Sequence, residues 1–294
     1  RANRSGTLRI YACGDCTPCG GRDFAVTPAT KLRQRSRKPH PQRGRQAEQG
    51  GVVYTRRHRA LPVPTHHRIP VTDGETVAAV HHAADGERWL LFCHGFGSDK
   101  QGSYEQRCER AVAASLDALR FDFRGVGESD GTFPAATLTT RLADLRAVAD
   151  SFDLDAFCVF GSSFGGLVAL HAAARDNRVD AVVCRSPVTD LSVYDERARQ
   201  VREEGPIDHP SGHTVDERLF DDLDSFDTMA AAERIDVPVA IVHGADDDVV
   251  PATGSFETAA HLDGEALVRQ VAGERHVFSD EAEDLLWGTM LEWL

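Results

Sequence analysis

The chain has 294 residues, of which 41% are hydrophobic, and this is enough to bury the core of one large α/β domain with extra segments. A formal net charge of −13 at pH 7 predicts a protein that repels nucleic acid and other polyanions. No apolar stretch approaches the length of a membrane span, and none follows the N-terminal arginines as in a secretory signal. We therefore expect no membrane contact and a cytoplasmic location.

The charged residues are unevenly distributed along the chain. Residues 1–68 contain fifteen Lys or Arg and three Asp or Glu, whereas the remainder is strongly acidic and the whole chain has three lysines. Residues 1–51 are rich in Arg, Gly, Gln and Pro and lack a periodic apolar pattern. We expect residues 1–60 to form a basic, disordered N-terminal extension and residues 61–294 to form the folded domain. An acidic, lysine-poor domain is typical of a halophile-like protein in a high-salt cytoplasm, and an Arg-rich genome explains it equally well.

The extension contains the closest cysteine spacing in the chain, because two residues separate Cys13 from Cys16 and Cys16 from Cys19. A structural zinc site requires four ligands, and His40 is far from these three thiols. We therefore expect no metal site. The remaining cysteines lie mostly in strand-like runs and are predicted to be small core residues in a reducing compartment: Cys93, Cys108, Cys158 and Cys184.

After the extension, short apolar runs alternate with helix-length segments. A hairpin is predicted at residues 68–71 and 76–82. Further strands are predicted at 89–93, 118–123, 156–161, 180–186, 237–244 and 267–271, and helices at 104–116, 136–152, 163–174 and 279–294. This alternation predicts an α/β fold with a doubly wound, mostly parallel sheet and helices on both faces. Ligands of such sheets bind beyond the carboxyl ends of the strands.

The sequence GSSFG at residues 161–165 joins a predicted strand to a predicted helix and has the pattern G-x-S-x-G. A serine at such a turn is held in a strained backbone conformation that exposes its hydroxyl, and small neighbours allow the strand and helix to approach closely. Ser163 is therefore the candidate nucleophile. Negative charge that develops on a carbonyl oxygen needs fixed N–H donors. The candidates are the amide of Phe164 and, in the HGFG loop after the first parallel strand, the amide of Phe96.

The partners that a serine nucleophile requires follow later in the chain. An imidazole must remove the hydroxyl proton, and a carboxylate must orient the imidazole. Three consecutive aspartates, residues 246–248, follow the strand at 237–244, and His276 follows the last predicted strand. The resulting order of nucleophile, acid and base is the order found in enzymes with a G-x-S-x-G elbow.

With these motifs the chain resembles the α/β-hydrolase superfamily, and within it the serine aminopeptidase-like and acyl-esterase-like branch. The resemblance is carried by HGFGSDKQG at 94–102, FDFRGVGESDG at 121–131, the elbow, and HGADDDVVP at 243–251 with His276. It implies an α/β-hydrolase fold over about residues 71–294. Its G-x-x-D-x-x-V-P pattern implies that Asp247, rather than Asp246 or Asp248, is the acid.

Residues 187–236 contain no strong strand and occupy the position where this superfamily often carries a cap over the active site. We expect a short helical cap, whose acidic residues favour a cationic or neutral substrate; an ordinary surface excursion is the alternative. The whole pattern predicts a serine hydrolase that cleaves a small carboxylic ester or related acyl bond without a cofactor. The alternatives are an aminopeptidase or amidase with the same triad, acyl transfer to an acceptor other than water, and a non-catalytic binding protein.

Overall fold

The computed structural model describes residues 8–12, for which only the backbone is considered, and residues 62–294. These residues fall within one compact unit. Within the predicted extension, Leu8–Ala12 forms a strand that the sequence analysis did not predict. This segment, LRIYA, contains β-branched and aromatic residues, but it is too short to be recognised in polar surroundings. The rest of the extension, including Cys13, Cys16 and Cys19, lies outside the described residues.

A nine-stranded sheet organises the described part of the chain, with the strand order β1-β11-β10-β7-β6-β4-β5-β3-β2. Its neighbouring strands are parallel except that β3 runs antiparallel to both β2 and β5. The strands of this sheet are β1 (Leu8–Ala12), β2 (Thr65–Pro70), β3 (Thr76–His82), β4 (Arg88–Cys93), β5 (Leu116–Phe121), β6 (Phe157–Ser162), β7 (Val179–Arg185), β10 (Val239–Gly244) and β11 (Ala266–Val271). A separate two-stranded hairpin consists of β8 (Ile207–Asp208) and β9 (Thr214–Val215).

Eight α-helices accompany the strands in residues 62–294. They are α1 (Ser103–Ala113), α2 (Leu138–Ser151), α3 (Phe164–Ala173), α4 (Asp195–Glu204), α5 (Glu217–Leu223), α6 (Thr228–Ala232), α7 (Thr253–His261) and α8 (Asp280–Trp293). The predicted doubly wound, mostly parallel sheet is confirmed. Helix α7 was not predicted, because it is short and Gly254 interrupts its weak apolar pattern.

Two apolar layers cover the sheet, one on each face. One layer contains α2 and α3, with Leu145 and Leu167 fully or almost fully buried, and the other contains α1 and α8, with Cys108 and Met290 fully buried. The four cysteines after residue 62 are buried and unpaired, as predicted, and burial raises the pKa of each thiol.

The sheet determines where the predicted site residues meet. Ser163 follows β6, Asp247 follows β10 and the loop of Phe96 follows β4. His276 follows β11, so all four positions lie after the carboxyl ends of parallel strands. In this topology the region beyond those ends is the expected binding site.

Candidate active site

Ser163 lies at the sharp turn between β6 and α3 and has φ 55° and ψ −119°. A non-glycine residue in this region of backbone space is strained, and such strain is concentrated at functional positions. The neighbouring glycines are required by space, because a Cβ on Gly161 would collide with the backbone of Gly165, and one on Gly165 would collide with the backbone of Cys93. The elbow predicted from G-x-S-x-G is therefore present as a close strand-to-helix turn.

His276 connects the candidate nucleophile to the candidate acid. Its Nε2 lies 3.0 Å from the Ser163 hydroxyl, and its Nδ1 lies 2.8 Å from Oδ2 of Asp247. A carboxylate only accepts hydrogen bonds, so Nδ1 carries the proton and Nε2 offers its lone pair to the hydroxyl. The imidazole is therefore in the tautomer that a general base needs.

Asp247 has a fully buried side chain, whereas that of His276 is 18% exposed. Its Oδ1 accepts hydrogen bonds from the amides of Val249 and Val250, both at 2.9 Å. Burial alone would raise the pKa of this carboxyl group. The hydrogen bonds with His243 and His276, together with those two amides, outweigh burial and hold the pKa of Asp247 well below its usual range. The carboxylate therefore stays ionised in a dry environment.

His243 is an additional partner of the acid. Its Nε2 donates to the carbonyl of Val250 at 2.9 Å and lies 3.3 Å from Oδ2 of Asp247, while its Nδ1 accepts from the Ser255 hydroxyl at 2.8 Å. These contacts hold the loop that carries Asp247. The spacing of His243 four residues before Asp247 was the available signal.

The HGFG loop lies directly beside the elbow. A Cβ on Gly95 would be 3.4 Å from the Cβ of Ser163, and the rings of Phe96 and Phe164 lie 5.6 Å apart. Within the described part of the chain, neither the amide of Phe96 nor that of Phe164 donates a hydrogen bond. Phe164 is also the first residue of α3, where the N–H groups of a helix are unsatisfied and the dipole favours negative charge. Both amides are thus available to an oxyanion.

His94 fixes the orientation of this loop from below. Its Nδ1 donates to the carbonyl of Gly95 at 2.9 Å, and its Nε2 accepts from the amide of Phe123 at 3.1 Å. Because the peptide bond is planar, fixing the Gly95 carbonyl also fixes the direction of the Phe96 N–H. Burial, assisted by the positive charge of Arg141, lowers the pKa of His94 to about 3 and keeps the imidazole neutral.

A buried arginine that sequence reasoning missed lies behind the two candidate oxyanion residues. The guanidinium of Arg141 on α2 lies 4.8 Å from the ring centre of Phe123, 5.1 Å from that of Phe164 and 5.9 Å from that of Phe96. Its side chain is fully buried, and burial lowers its pKa to about 10, so it remains charged near neutral pH. An amphipathic helix pattern cannot reveal that a basic residue faces inward.

The segment predicted as a cap covers this loop. His209 contacts the Phe96 ring edge-on with the ring centres 5.1 Å apart, and His213 stacks on Phe133 at 4.3 Å. The ring of Tyr194, just before α4, lies 6.5 Å from that of Phe96. Residues 187–236, the segment predicted as a cap, contain α4, α5, α6 and the β8–β9 hairpin.

Among residues 62–294, no group of three His, Cys, Asp or Glu side chains is arranged to hold a metal ion. None of the helices in this part of the chain combines the length and the apolar character of a membrane span.

Comparison with protein families gives a match to the model of the prolyl oligopeptidase family over residues 140–294. Among characterised proteins, the chain is 28% identical over 206 residues to the human mitochondrial palmitoyl-protein thioesterase ABHD10, covering 63% of this chain and 66% of that protein. It is 34% identical over 109 residues to the quorum-quenching protein AidA of Acinetobacter baumannii, covering 34% of this chain and 36% of that protein. The match thus spans less than two thirds of the length of either relative.

Solved structures with the same fold cover most of the chain. A hydrolase from Agrobacterium vitis has a TM-score of 0.71 at 24% identity, covering 79% of this chain and 99% of its own. Est1E from Butyrivibrio proteoclasticus, solved with ferulic acid, has a TM-score of 0.68 at 22% identity, covering 77% and 98%. These similarities concern the fold, and they agree with the sheet described above.

Proposed function

Since this chain belongs to the prolyl oligopeptidase family, within the α/β-hydrolase superfamily, we propose that it is a serine hydrolase that cleaves a carboxylic ester or thioester through an acyl-enzyme intermediate. The observation that supports this most is the continuous line of hydrogen bonds from Asp247 through His276 to Ser163. The esterase and thioesterase names among the relatives and structural neighbours support an acyl substrate.

The proposed reaction has two halves. In the first, Ser163 attacks the carbonyl carbon while Nε2 of His276 takes the hydroxyl proton, and Asp247 stabilises the imidazolium that forms. The amides of Phe96 and Phe164 stabilise the oxyanion, and such a donor contributes about 3–4 kcal/mol in related chemistry. The leaving group departs with the proton from His276. In the second half, water attacks the acyl group with His276 again as base, and the acid product leaves.

The substitution Ser163→Ala tests the nucleophile. We expect hydrolysis of p-nitrophenyl butyrate to fall to background while the melting temperature stays close to that of the wild type, because only one small hydroxyl is removed. We also expect a fluorophosphonate probe to label the wild-type protein and not the variant. Hydrolysis by Ser163→Ala at a rate comparable to the wild type would contradict the assignment.

The family match favours a peptidase or amidase as the second candidate. An aminopeptidase must recognise a positively charged amino terminus, which calls for a carboxylate at the mouth. Measuring the rates of hydrolysis of p-nitrophenyl butyrate and of aminoacyl p-nitroanilides side by side separates the two activities. Faster release from the anilides would favour the peptidase.

The remaining alternatives have distinct signatures. A non-catalytic binding protein with this site would not be labelled by the fluorophosphonate probe. An acyl transferase would pass the acyl group to an added alcohol or thiol faster than to water. We also propose residues 61–294 as the hydrolase domain with its cap at 187–236, and a cytoplasmic location, since the buried free cysteines suit a reducing compartment.

A further inference from the structure

A cavity of about 250 Å³ lies between α2 and the turn that follows α3. It reaches the sheet at Phe157, the first residue of β6, whereas Ser163 follows the last residue of this strand. The two positions are about 20 Å apart along the strand. The cavity is therefore separate from the candidate active site.

The inner wall of this cavity is apolar. It is formed by Leu142 and by three buried side chains, Leu145, Phe157 and Ala172. The cavity opens to solvent on the side of Ala143, which is exposed. An apolar cavity of about 150 Å³ holds a ring of six carbon atoms while excluding water. By proportion, the cavity beside α2 has room for about ten carbon atoms.

Arg175 lies at the open side of the cavity and forms no ion pair with any residue that the structure describes. Its Nη1 donates to Nδ1 of His171 at 2.8 Å and to the carbonyl of the same residue at 3.0 Å. Burial lowers the pKa of His171 to about 3, so the neutral ring accepts this hydrogen bond. Within residues 62–294, Nε and Nη2 of Arg175 have no hydrogen-bond partner, so these donors are available to a ligand.

The carboxylates near the opening are engaged by another arginine. Asp176, the carboxylate that lines the cavity, accepts hydrogen bonds from Nε and Nη2 of Arg178 at 3.0 and 2.7 Å. Arg178 also donates to Asp150 at 2.7 Å. Arg146, the second arginine of the lining, lies 3.9 Å from Asp150, and an exposed pair at this distance contributes little. The opening therefore presents the positive charges of Arg146 and Arg175.

An apolar wall with a guanidinium at its edge is complementary to an alkyl chain that ends in a carboxylate. A carboxylate can accept two parallel hydrogen bonds from a guanidinium, and the chain gains free energy when it leaves water. The basic N-terminal extension is a poor occupant, because it has the same sign of charge as the two arginines.

We propose that this cavity binds a medium-chain fatty acid, with the chain against Leu145, Phe157 and Ala172 and the carboxylate on Arg175. Arg146 adds to the positive potential at the opening. The site is distinct from Ser163 and does not depend on the hydrolase function proposed above.

Calorimetry on the full chain with sodium octanoate tests this site. We expect a Kd below about 1 mM, as is reasonable for a ligand of this size, and binding of 1-octanol at least about fivefold weaker. Arg175→Gln should raise the Kd of octanoate about fivefold or more, because it removes the charged donor. The matched control is Arg110→Gln, an exposed arginine on α1 outside this cavity, for which we expect a Kd within about twofold of wild type.

A second variant tests the chain-binding part. Ala143→Trp places a large ring at the opening of the cavity from an exposed position, so we expect loss of octanoate binding with an unchanged melting temperature and unchanged hydrolysis of p-nitrophenyl butyrate. Absence of octanoate binding to the wild type, or equal binding of octanoate and octanol, would overturn the proposal. Octanoate that still binds Ala143→Trp and competes with p-nitrophenyl butyrate would place the ligand at the active site instead. If the wild type hydrolyses no ester but binds octanoate as expected, the hydrolase proposal fails and the fatty-acid site stands.

Discussion

Asp247 accepts hydrogen bonds from two amides and from His276, and Nε2 of His243 lies 3.3 Å from its Oδ2, so its charged form is built into the fold. Its pKa lies well below the usual range, because these hydrogen bonds outweigh the effect of burial. A group whose pKa is depressed on folding stabilises the folded state when the pH is above its unfolded pKa, about 4. This contribution is lost as the pH falls below that value. Near neutral pH it is fully present.

The substitution Asp247→Asn tests both consequences at the residue scale. We expect kcat to fall by about four orders of magnitude, as is typical when the histidine loses its orienting carboxylate. We also expect the stability difference from wild type, measured by urea unfolding, to be large at pH 7 and to shrink as the pH is lowered below about 4. The exposed neighbour Asp246, changed to Asn, is the control, and we expect it to keep near-wild-type activity. A larger loss of kcat in Asp246→Asn than in Asp247→Asn would reverse the choice between these aspartates.

At the scale of elements, the carboxylate of Glu283 connects α8 to α1 and to the end of strand β7 beside the elbow. Glu283 accepts hydrogen bonds from Arg107 on α1 at 2.7 and 2.8 Å and from Arg185 at the end of β7 at 2.8 Å. Arg185 in turn donates to the hydroxyl of Ser162, next to the candidate nucleophile, at 3.0 Å. Burial would raise the pKa of Glu283, but the two arginines outweigh burial and lower it. This helix therefore supports the elbow as well as closing one face of the sheet.

Glu283→Gln removes the charge that these two arginines share. We expect a loss of about 1–3 kcal/mol in the free energy of unfolding, because two largely buried guanidinium groups lose their counter-ion while the site remains partly open to water. Thermal or urea unfolding measures this loss. The control is Glu281→Gln, an exposed position on the same helix, for which we expect a change within about 0.5 kcal/mol. An equal effect of the two substitutions would show that the ion cluster does not support the helix.

Individual strands and helices were predictable where their own residues showed a clear apolar pattern. Strands β4, β6, β7, β10 and β11 were recognised because buried parallel strands are continuous apolar runs bounded by turn residues. Strand β1 and helix α7 were missed because each is short and its neighbours in the sequence carry no matching period. The boundaries of α1, α2, α3 and α8 differ from the predictions by three residues or fewer, and no individual boundaries were predicted for the short helices α4, α5 and α6.

The candidate site was predictable to the extent that each residue occurs in a motif with a fixed chain order. Ser163, Asp247 and His276 follow strand ends, and the structure brings His276 within hydrogen-bonding distance of both other side chains. Arg141 carries no such signal. Its importance depends on which way helix α2 presents it and on which carboxylates are already engaged by other arginines. Both facts arise from packing between segments distant in the sequence.

For the whole molecule, the sheet edge at β1 links the predicted extension to the folded domain. Strand β1 pairs in parallel with β11 from Leu8 to Ala12, and the loop after β11 carries His276. A variant that lacks residues 1–12 exposes the edge of β11. We expect its melting temperature to fall by a few degrees while its kcat on p-nitrophenyl butyrate stays within about twofold of wild type, because β10 still holds β11 on its other side. An unchanged melting temperature would mean that β1 contributes nothing to the stability of the sheet.

Phe96 has two functions that originate in different parts of the residue. Every non-proline amino acid supplies an amide at this position, so the proposed donation to the reacting oxygen does not depend on which side chain is present. The Phe96 ring, by contrast, contacts His209 of the cap and the guanidinium of Arg141. A protein engineer can therefore vary position 96 to reshape the surface beside Ser163 while the N–H donor remains in the backbone.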